Sequence, residues 1–401
     1  MIYVFYFFAA ILVFLGYKSL RGGRSYFNYF KRELNKPESN FTLFCSIVVP
    51  CRGLDEELSK NLAALFRQNY SPFEILFVVA DETDEAVSVI EEVSRKGARP
   101  AESKLVIAGN AIESGQKVHN LRQAVLEVSD ESEVFVFVDS DARPSENWLK
   151  NLIAPLEDAN IGATTGYRWF VSKRGGFFSH MLSVWNASIA SALSANEKNN
   201  FCWGGSTAIR RDTFEKLDVR EKWRGTLSDD FAVTRILKQA NLPIKFVPQC
   251  LTVSVEDCSF SQLLEFTTRQ IKITRVYAPH LWKASFVGSL VFTFTFWAGV
   301  ALLFFLSSWE FWLTLAFLLI IFALGAAKAW FRLKAVKLVL KDYQKELNCQ
   351  FLSQMTLWTI TSVLYFYNCF CALISRKIVW RGIEYELKSP RKTVIIADED
   401  K

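Results

Sequence analysis

Four long apolar runs constrain the fold of this chain more than any other feature. They cover residues 2–17, 284–308, 311–330 and 355–374. Hydrophobic residues make up 51% of the 401 residues, which is too apolar for an ordinary soluble domain. The first run predicts an N-terminal transmembrane anchor over residues 1–20. The other three predict transmembrane helices within residues 284–375, so a membrane bilayer is an expected partner.

Basic residues follow the first apolar run and set its expected orientation. They are Lys18, Arg21, Arg24, Lys31 and Arg32. Positively charged flanks stay on the cytosolic side, so a multi-pass protein with its main domain facing the cytosol is predicted, in the plasma membrane or a bacterial inner membrane. Three C-terminal crossings would place the basic end of the chain outside. Either one run is re-entrant or interfacial, or the first segment does not cross.

Charge and cysteine usage exclude two further classes of function. The net charge of +6 gathers beside the apolar runs, and no basic stripe interleaved with aromatic residues lies elsewhere, so no nucleic-acid partner is expected. Eight cysteines are scattered without a CxxC pair, and the chain has only three histidines. A structural zinc site is therefore not expected.

Residues 41–258 have the pattern of an α/β domain. Short β-branched runs at 45–50, 74–80, 104–108 and 133–138 alternate with amphipathic segments. This alternation predicts a mainly parallel sheet with helices on both faces, which binds ligands at the carboxyl ends of its strands. The remaining segments are predicted as a basic linker (21–40), an amphipathic interfacial helix region (259–283) and a basic tail (376–401).

The clearest chemical signal is an acidic pair at the end of a predicted strand. The apolar run 134–138 leads directly into Asp139-Ser140-Asp141. Residues i and i+2 of a strand share a side, so both carboxylates can face one ligand. Two hard oxygen donors suit Mg²⁺ or Mn²⁺ bridging a diphosphate. The alternative interpretation is an aspartate-rich turn after a strand.

Three further acidic residues support the interpretation as a nucleotide site. Asp81 ends another predicted strand and should lie on the same sheet edge. Asp229 and Asp230 precede a helical pattern, where one can cap the helix or act as a general base toward an acceptor hydroxyl. His119 is expected to be a satisfied polar residue at a helix start rather than a reactive group.

The order of these acids resembles that of family-2 glycosyltransferases with the GT-A fold. The closer resemblance is to ceramide glucosyltransferases and their bacterial relatives, and it covers nearly the whole chain. Its other elements are the first-strand loop 49–55, the lysine segment 117–121, a variant of the (Q/R)xxRW motif at 269–273, and Trp380-Arg381-Gly382. The resemblance implies a GT-A catalytic domain over residues 41–258.

The resemblance also implies roles for individual residues. Asp139 and Asp141 would bind ribose and metal, with Asp141 the direct ligand, and Asp230 would deprotonate the acceptor, with Asp229 beside it. The residues implied to bind the nucleotide sugar are Pro50, Asp81, Lys117, Asp139, Gly204, Gly205, Arg269 and Lys272. In the 269–273 motif, Lys272 stands in place of arginine and Ile273 in place of tryptophan. The chain therefore lacks the planar guanidinium and the aromatic ring of the motif at these two positions. A basic interfacial helix is the alternative for this segment.

The expected function is an inverting, membrane-bound hexosyltransferase. It would move a hexose, with glucose favoured, from a UDP-sugar to a lipid acceptor such as ceramide. Two alternatives stay open: a processive polysaccharide synthase, and a non-catalytic nucleotide-binding membrane protein.

Overall fold

A computed structural model describes residues 2–97 and 102–398, which form two compact units. The first, the helical unit, comprises Met1–Lys31, Val171–Ser191 and Glu256–Ser375. The second, the α/β unit, comprises Arg32–Phe170, Ala192–Val255 and Arg376–Lys401. The C-terminal segment therefore belongs to the α/β unit, although all three segments of the helical unit precede it in the sequence.

The strands are β1 (Cys45–Pro50), β2 (Phe73–Val79), β3 (Glu102–Ile107), β4 (Val134–Phe137), β5 (Ala163–Val171), β6 (Thr207–Arg210), β7 (Ile244–Val255), β8 (Lys377–Trp380), β9 (Ile383–Ser389) and β10 (Lys392–Asp398). The helices are α1 (Ile2–Leu34), α2 (Leu58–Leu65), α3 (Ala86–Lys96), α4 (Gln116–Ala124), α5 (Trp148–Ile153), α6 (Phe177–Ala190), α7 (Arg211–Lys216), α8 (Val219–Lys222), α9 (Asp229–Gln239), α10 (Phe260–Tyr277), α11 (Pro279–Leu302), α12 (Ser308–Val339), α13 (Gln344–Cys349), α14 (Phe351–Thr356) and α15 (Trp358–Ile374). Short 3-10 helices cover Ala154–Glu157 and Lys341–Tyr343.

The α/β unit is built on a seven-stranded sheet in the order β3-β2-β1-β4-β6-β5-β7. The first four strands in that order are parallel, and β6 runs antiparallel to β4 and β5. Strands β1 and β4 are almost completely buried, as expected for parallel strands covered on both faces. In a parallel group the loops that follow β1, β2 and β4 leave from the same sheet edge.

Helices cover both faces of this sheet. On one face Val48 and Leu76 share a buried cluster with Leu121 of α4. On the other face Phe66, which follows α2, lies 6.1 Å from Phe77 between ring centroids. Phe77 is the strand neighbour of Leu76 and therefore points the opposite way. The predicted α/β fold with a mainly parallel sheet is confirmed.

Three helices of the described residues are long and apolar enough to cross a membrane, by length and composition: α1, α11 and α12. Helix α15 is apolar as well but has only 17 residues. Near the start of α1, Phe5, Ala9 and Leu12 pack in one cluster with residues of α11 and α12. Helix α1 continues to Leu34, through most of the segment that the sequence predicted as a basic linker.

Residues 376–398 of the segment predicted as a basic tail (376–401) are a folded part of the α/β unit. Strands β8, β9 and β10 form an antiparallel sheet within it. Ile383, Tyr385 and Leu387 alternate along β9 and are almost fully buried. The alternation of apolar residues predicts a strand, but the many basic residues of the segment favoured the prediction of a basic tail.

Candidate functional site

The site is built at the edge where the parallel strands end. Asp139 and Asp141 lie just beyond the end of β4, after Val138, and remain partly exposed, whereas Ser140 between them is buried. The Ser140 hydroxyl donates a 2.8 Å hydrogen bond to the carboxylate of Asp55 in the loop after β1. The acidic pair is therefore tied to the neighbouring strand's loop, as the parallel topology requires.

A lysine on α4 joins two of the predicted acids. The Lys117 ammonium lies 2.6 Å from Asp139 Oδ1 and 3.1 Å from Asp229 Oδ1. Burial disfavours the ammonium, but Asp139, Asp229 and Asp230 outweigh that effect and raise the pKa of Lys117. Burial also raises the pKa of Asp229 from its ordinary 3.8 to about 6, although Lys117 partly opposes this shift. The structure thus brings together Lys117, Asp139 and Asp229, which are far apart along the chain.

Gly204 lies against this ion-paired group. A Cβ atom at Gly204 would stand 2.5 Å from Asp229 Oδ2 and 2.6 Å from the Lys117 ammonium. Any side chain at this position would displace one of the two charges. At Gly205 a Cβ atom would stand 2.2 Å from the Trp203 ring. Both glycines are therefore sterically required at these positions.

Asp141 has a cationic partner that sequence reasoning missed. Arg168 of β5 places Nη1 3.2 Å from Asp141 Oδ2, and its guanidinium lies 5.6 Å from the centre of the Trp203 ring. Burial raises the pKa of Asp141, and Arg168 opposes that rise. The only sequence signal for Arg168 is a lone basic residue within an apolar strand, which points to a buried partner of opposite charge.

The residues present fit a divalent metal ion bound together with its ligand. Asp141 Oδ1 is buried and has no hydrogen-bond partner. Within residues 2–97 and 102–398, no group of three or more His, Cys, Asp or Glu side chains is arranged to hold a metal ion. Mg²⁺ is characteristically bound by one or two carboxylates plus substrate phosphates and water. Asp139 and Asp141 would supply the carboxylates, and the phosphates of the ligand and water would supply the remaining oxygens.

Asp230 lies at the N-terminus of α9 beside Asp229 but is held differently. The Ser228 side chain caps the helix, and the Ser228 hydroxyl also donates to Asp230 Oδ1. Asp230 Oδ1 accepts a 2.7 Å hydrogen bond from the Phe231 N–H, but the cap is Ser228, so the interpretation of Asp229 or Asp230 as the helix cap is wrong. Asp229 is paired with Lys117 and its side chain is only 6% exposed. Asp230 is the less buried of the two acids.

The remaining nucleotide-binding predictions in the α/β unit fall in two places. Pro50 ends β1, in register with Val78 of β2. Asp81 is exposed beyond the end of β2, and its carboxylate accepts hydrogen bonds from the Thr83 N–H and hydroxyl, which lower its pKa.

His119 places Nε2 2.9 Å from the Ala108 carbonyl oxygen, so its prediction as a satisfied polar residue is confirmed.

Arg269 and Lys272 lie on α10 in the helical unit. Arg269 forms a 3.6 Å ion pair with Glu265, one turn earlier, and its guanidinium lies 5.5 Å from the Phe266 ring centre. Burial lowers the pKa of Lys272. These contacts are those of a partly buried basic helix within the helical unit, and a role of the two residues in binding a diphosphate stays a prediction.

The sequence of this chain matches a known glycosyltransferase family over nearly its whole length. The model of Glycosyl transferase family 21 matches residues 6–393, so the chain belongs to that family. The resemblance to ceramide glucosyltransferases stated from the sequence is confirmed, with family 21 in place of family 2. The prediction of a glycosyltransferase is confirmed at the level of the family.

Two relatives from Caenorhabditis elegans are similar in sequence. Ceramide glucosyltransferase 1 is 33% identical over 79 residues, which is 20% of this chain and 17% of that protein. Ceramide glucosyltransferase 3 is 21% identical over 243 residues, which is 59% of this chain and 51% of that protein. The matches thus span about half or less of the length of these relatives.

Two solved structures of glycosyltransferases are similar in fold. The mannosyltransferase PcManGT from Pyrobaculum calidifontis, in complex with GDP-Man and Mn²⁺, has 16% identity and a TM-score of 0.47, covering 92% of this chain and 98% of that chain. Glucosyl-3-phosphoglycerate synthase from Mycobacterium tuberculosis, with Mn²⁺ and UDP-glucose, has 14% identity and a TM-score of 0.37, covering 58% and 78%. The family assignment rests on the family model, because both TM-scores lie below 0.5.

Proposed function

We propose that this chain is a membrane-bound, inverting glycosyltransferase that moves a hexose from a UDP-sugar to a lipid acceptor such as ceramide. The observation that carries the proposal is the orphaned, buried Asp141 Oδ1 beside Asp139, at the sheet edge where α/β proteins bind nucleotides. The similarity to two ceramide glucosyltransferases favours a lipid acceptor, and three long apolar helices favour a membrane location.

In this proposal one pair of acids binds the metal ion and a third acid serves as the general base. Asp141, with Asp139, would hold Mg²⁺ or Mn²⁺, which when bound neutralises the charge that develops on the leaving diphosphate. Asp230 would accept the proton of the acceptor hydroxyl. That oxygen forms the new bond to the anomeric carbon from the face opposite the nucleotide, while the bond from that carbon to the diphosphate oxygen breaks.

Asp230 is a better base than Asp229 on two observations. The carboxylate of Asp229 is already paired with Lys117 and almost fully buried. Asp230 is more exposed, and its hydrogen-bond partners are the Ser228 hydroxyl and a backbone N–H. A base must come within hydrogen-bond reach of the acceptor's hydroxyl proton, which favours the more exposed acid.

The chain's two units also support a particular membrane topology. If α1, α11 and α12 each cross the membrane, the chain after α12, at residue 340, lies on the same side as the α/β domain that begins after α1. The C-terminal sheet bonds to that same domain, for example through Thr393 N–H to Gly225 O at 3.0 Å. Helix α15 therefore lies in the interface or re-enters rather than crossing, which keeps both parts of the α/β unit in the cytosol.

The test is product formation by the full-length protein in lipid vesicles with Mn²⁺, UDP-glucose and ceramide, read by mass. The expected product is glucosylceramide, and Asp141→Asn should lower its formation by about 100-fold or more. Asp158→Asn, an exposed aspartate in the same unit, is the matched control and should retain wild-type activity.

The panel should include other UDP-sugars and diacylglycerol or hopanoid acceptors. Polymer growth without a lipid acceptor would favour the polysaccharide synthase instead. Nucleotide binding without transfer to any acceptor would favour a binding protein.

A further inference from the structure

The turn between β8 and β9 carries an arginine in an unfavourable backbone conformation. Arg381 and Gly382 both have positive φ, at 53° and 77°, and Trp380 pairs with Ile383 across the two-residue turn. Such turns favour asparagine, aspartate or glycine, and a left-handed residue with a long side chain costs about 1–2 kcal/mol. Residues held in this way cluster at functional sites.

The Arg381 guanidinium reaches the loop that supports the acidic pair. It donates to Asp55 Oδ1 through Nη2 and to the Arg52 carbonyl oxygen through Nη1, the latter at 3.3 Å. Asp55 in turn accepts from Ser140, the residue between Asp139 and Asp141. One carboxylate therefore links Arg381 to the centre of the site.

The electrostatics agree with this placement. Burial disfavours the charged guanidinium, but the carboxylates of Asp55, Asp141 and Asp139 outweigh it and raise the pKa of Arg381. The side chain is 40% exposed and uses two of its nitrogens in the contacts above. A guanidinium has five N–H donors, so donors remain for a ligand at this edge.

Hydrogen bonds and buried side chains hold the C-terminal sheet against the site. The Tyr385 hydroxyl accepts a 3.2 Å hydrogen bond from the N–H of Gln116, which precedes Lys117 in the first turn of α4. Tyr385 is only 2% exposed. The turn that carries Arg381 is thus anchored to the helix that carries Lys117.

We propose that Arg381 is a donor-binding residue that the C-terminal sheet supplies to the diphosphate of the nucleotide sugar. The planar guanidinium matches the oxygens of a phosphate in a bidentate manner, and Asp55 holds it in position. This inference rests on the proposed function. It gives the site a phosphate-binding cation within the α/β unit, independent of Arg269 and Lys272.

The test is equilibrium binding of UDP, GDP and uridine to the full-length protein with Mn²⁺. Arg381→Gln should weaken binding of the nucleoside diphosphate by about 10- to 100-fold, since charge-assisted bonds to phosphate are lost, and leave uridine binding unchanged. Arg381→Lys should recover part of the loss. Arg391→Gln, at an exposed arginine in the turn between β9 and β10, is the matched control and should bind all three ligands like the wild type.

A second variant separates binding from support of the sheet. Arg381→Gln leaves the Asp55 carboxylate without its cation, and Arg381→Gln combined with Asp55→Asn removes that unpaired charge. The double variant should regain thermal stability but not diphosphate affinity. The inference is overturned if either variant retains wild-type affinity for the diphosphate, or loses uridine and diphosphate binding equally.

Failure of the proposed function gives a different result. Wild-type protein that binds neither UDP nor GDP with Mn²⁺ would overturn the proposed function and this inference together. Wild-type binding with an unchanged affinity in Arg381→Gln would overturn the role of Arg381 alone.

Discussion

The two units each bury a polar cluster, and the clusters differ in how their charges are compensated. In the α/β unit the cations Lys117, Arg168 and Arg381 each contact a carboxylate. In the helical unit Arg332 is 4% exposed and donates to the Gln354 amide oxygen at 3.1 Å. None of its contacts among the described residues is to a carboxylate.

Neutral side chains continue the cluster of the helical unit. The Gln354 amide donates to the Ser183 hydroxyl at 3.1 Å, and that hydroxyl donates to Gln350 at 3.0 Å. A network of amides and hydroxyls fixes the packing of helices, whereas a set of paired charges can exchange its partners for a charged ligand. The difference indicates that the chemistry lies in the α/β unit.

Removal of Lys117 is expected to have the largest effect. Lys117→Met leaves Asp139 and Asp229 without their cation, and an unpaired buried charge is strongly destabilising. We expect a loss of about 3–5 kcal/mol in the free energy of unfolding. We also expect an activity loss of about 100-fold or more, because the two carboxylates lose their position. Chemical denaturation and initial rates measure the two effects.

Lys104→Met is the control for Lys117. Lys104 forms an exposed ion pair with Glu127, so its removal should cost less than about 1 kcal/mol. Equal losses of unfolding free energy in the two variants would show that the buried ion pairs of Lys117 stabilise the protein no more than an exposed ion pair does.

Gly204→Ala is expected to have the next largest effect. Its Cβ would collide with Asp229 and Lys117, so one of them must move. A displacement of about 1 Å at a positioned group lowers activity by about 100-fold. Steady-state rates measure it, and Gly22→Ala in α1, where a Cβ meets nothing within 4 Å, should have wild-type rates.

Asp229 should make stability depend on pH in a defined window. Because its pKa is raised from 3.8 to about 6, the folded protein holds a proton that the unfolded chain releases. The stabilisation is present below about pH 4 and is lost as the pH rises to about 6. Asp229→Asn removes this slope. Denaturation of metal-free protein across this window measures it, and Asp158→Asn should keep the wild-type slope.

The smallest effect is expected at Arg332. Arg332→Met removes a buried charge that has no carboxylate partner and leaves one amide oxygen without its donor, so the two effects oppose each other. The change in unfolding free energy should stay within about 1 kcal/mol, and activity within about 3-fold. A loss as large as that of Lys117→Met would contradict the comparison of the two clusters.

The sequence predicted the parts of the fold that follow from local periodicity. Alternating strands and amphipathic helices, with Asp139 and Asp141 at a strand end, depend on neighbouring residues only. The pairing of Arg168 with Asp141 and of Arg381 with Asp55 joins positions 27 and 326 residues apart. Such pairs depend on which strands are neighbours, which the pattern of one segment does not encode. The C-terminal sheet was missed because its alternation is short and crowded by lysine and arginine.

The most direct test of the central claim is the Mn²⁺ dependence of UDP-glucose binding in wild type and Asp141→Asn. If Asp139 and Asp141 hold the metal together with the donor, the wild type binds UDP-glucose tightly only with Mn²⁺. Asp141→Asn then loses about 100-fold or more in affinity at the Mn²⁺ concentration that saturates the wild type. Metal-independent binding, or unchanged affinity in Asp141→Asn, would contradict the account.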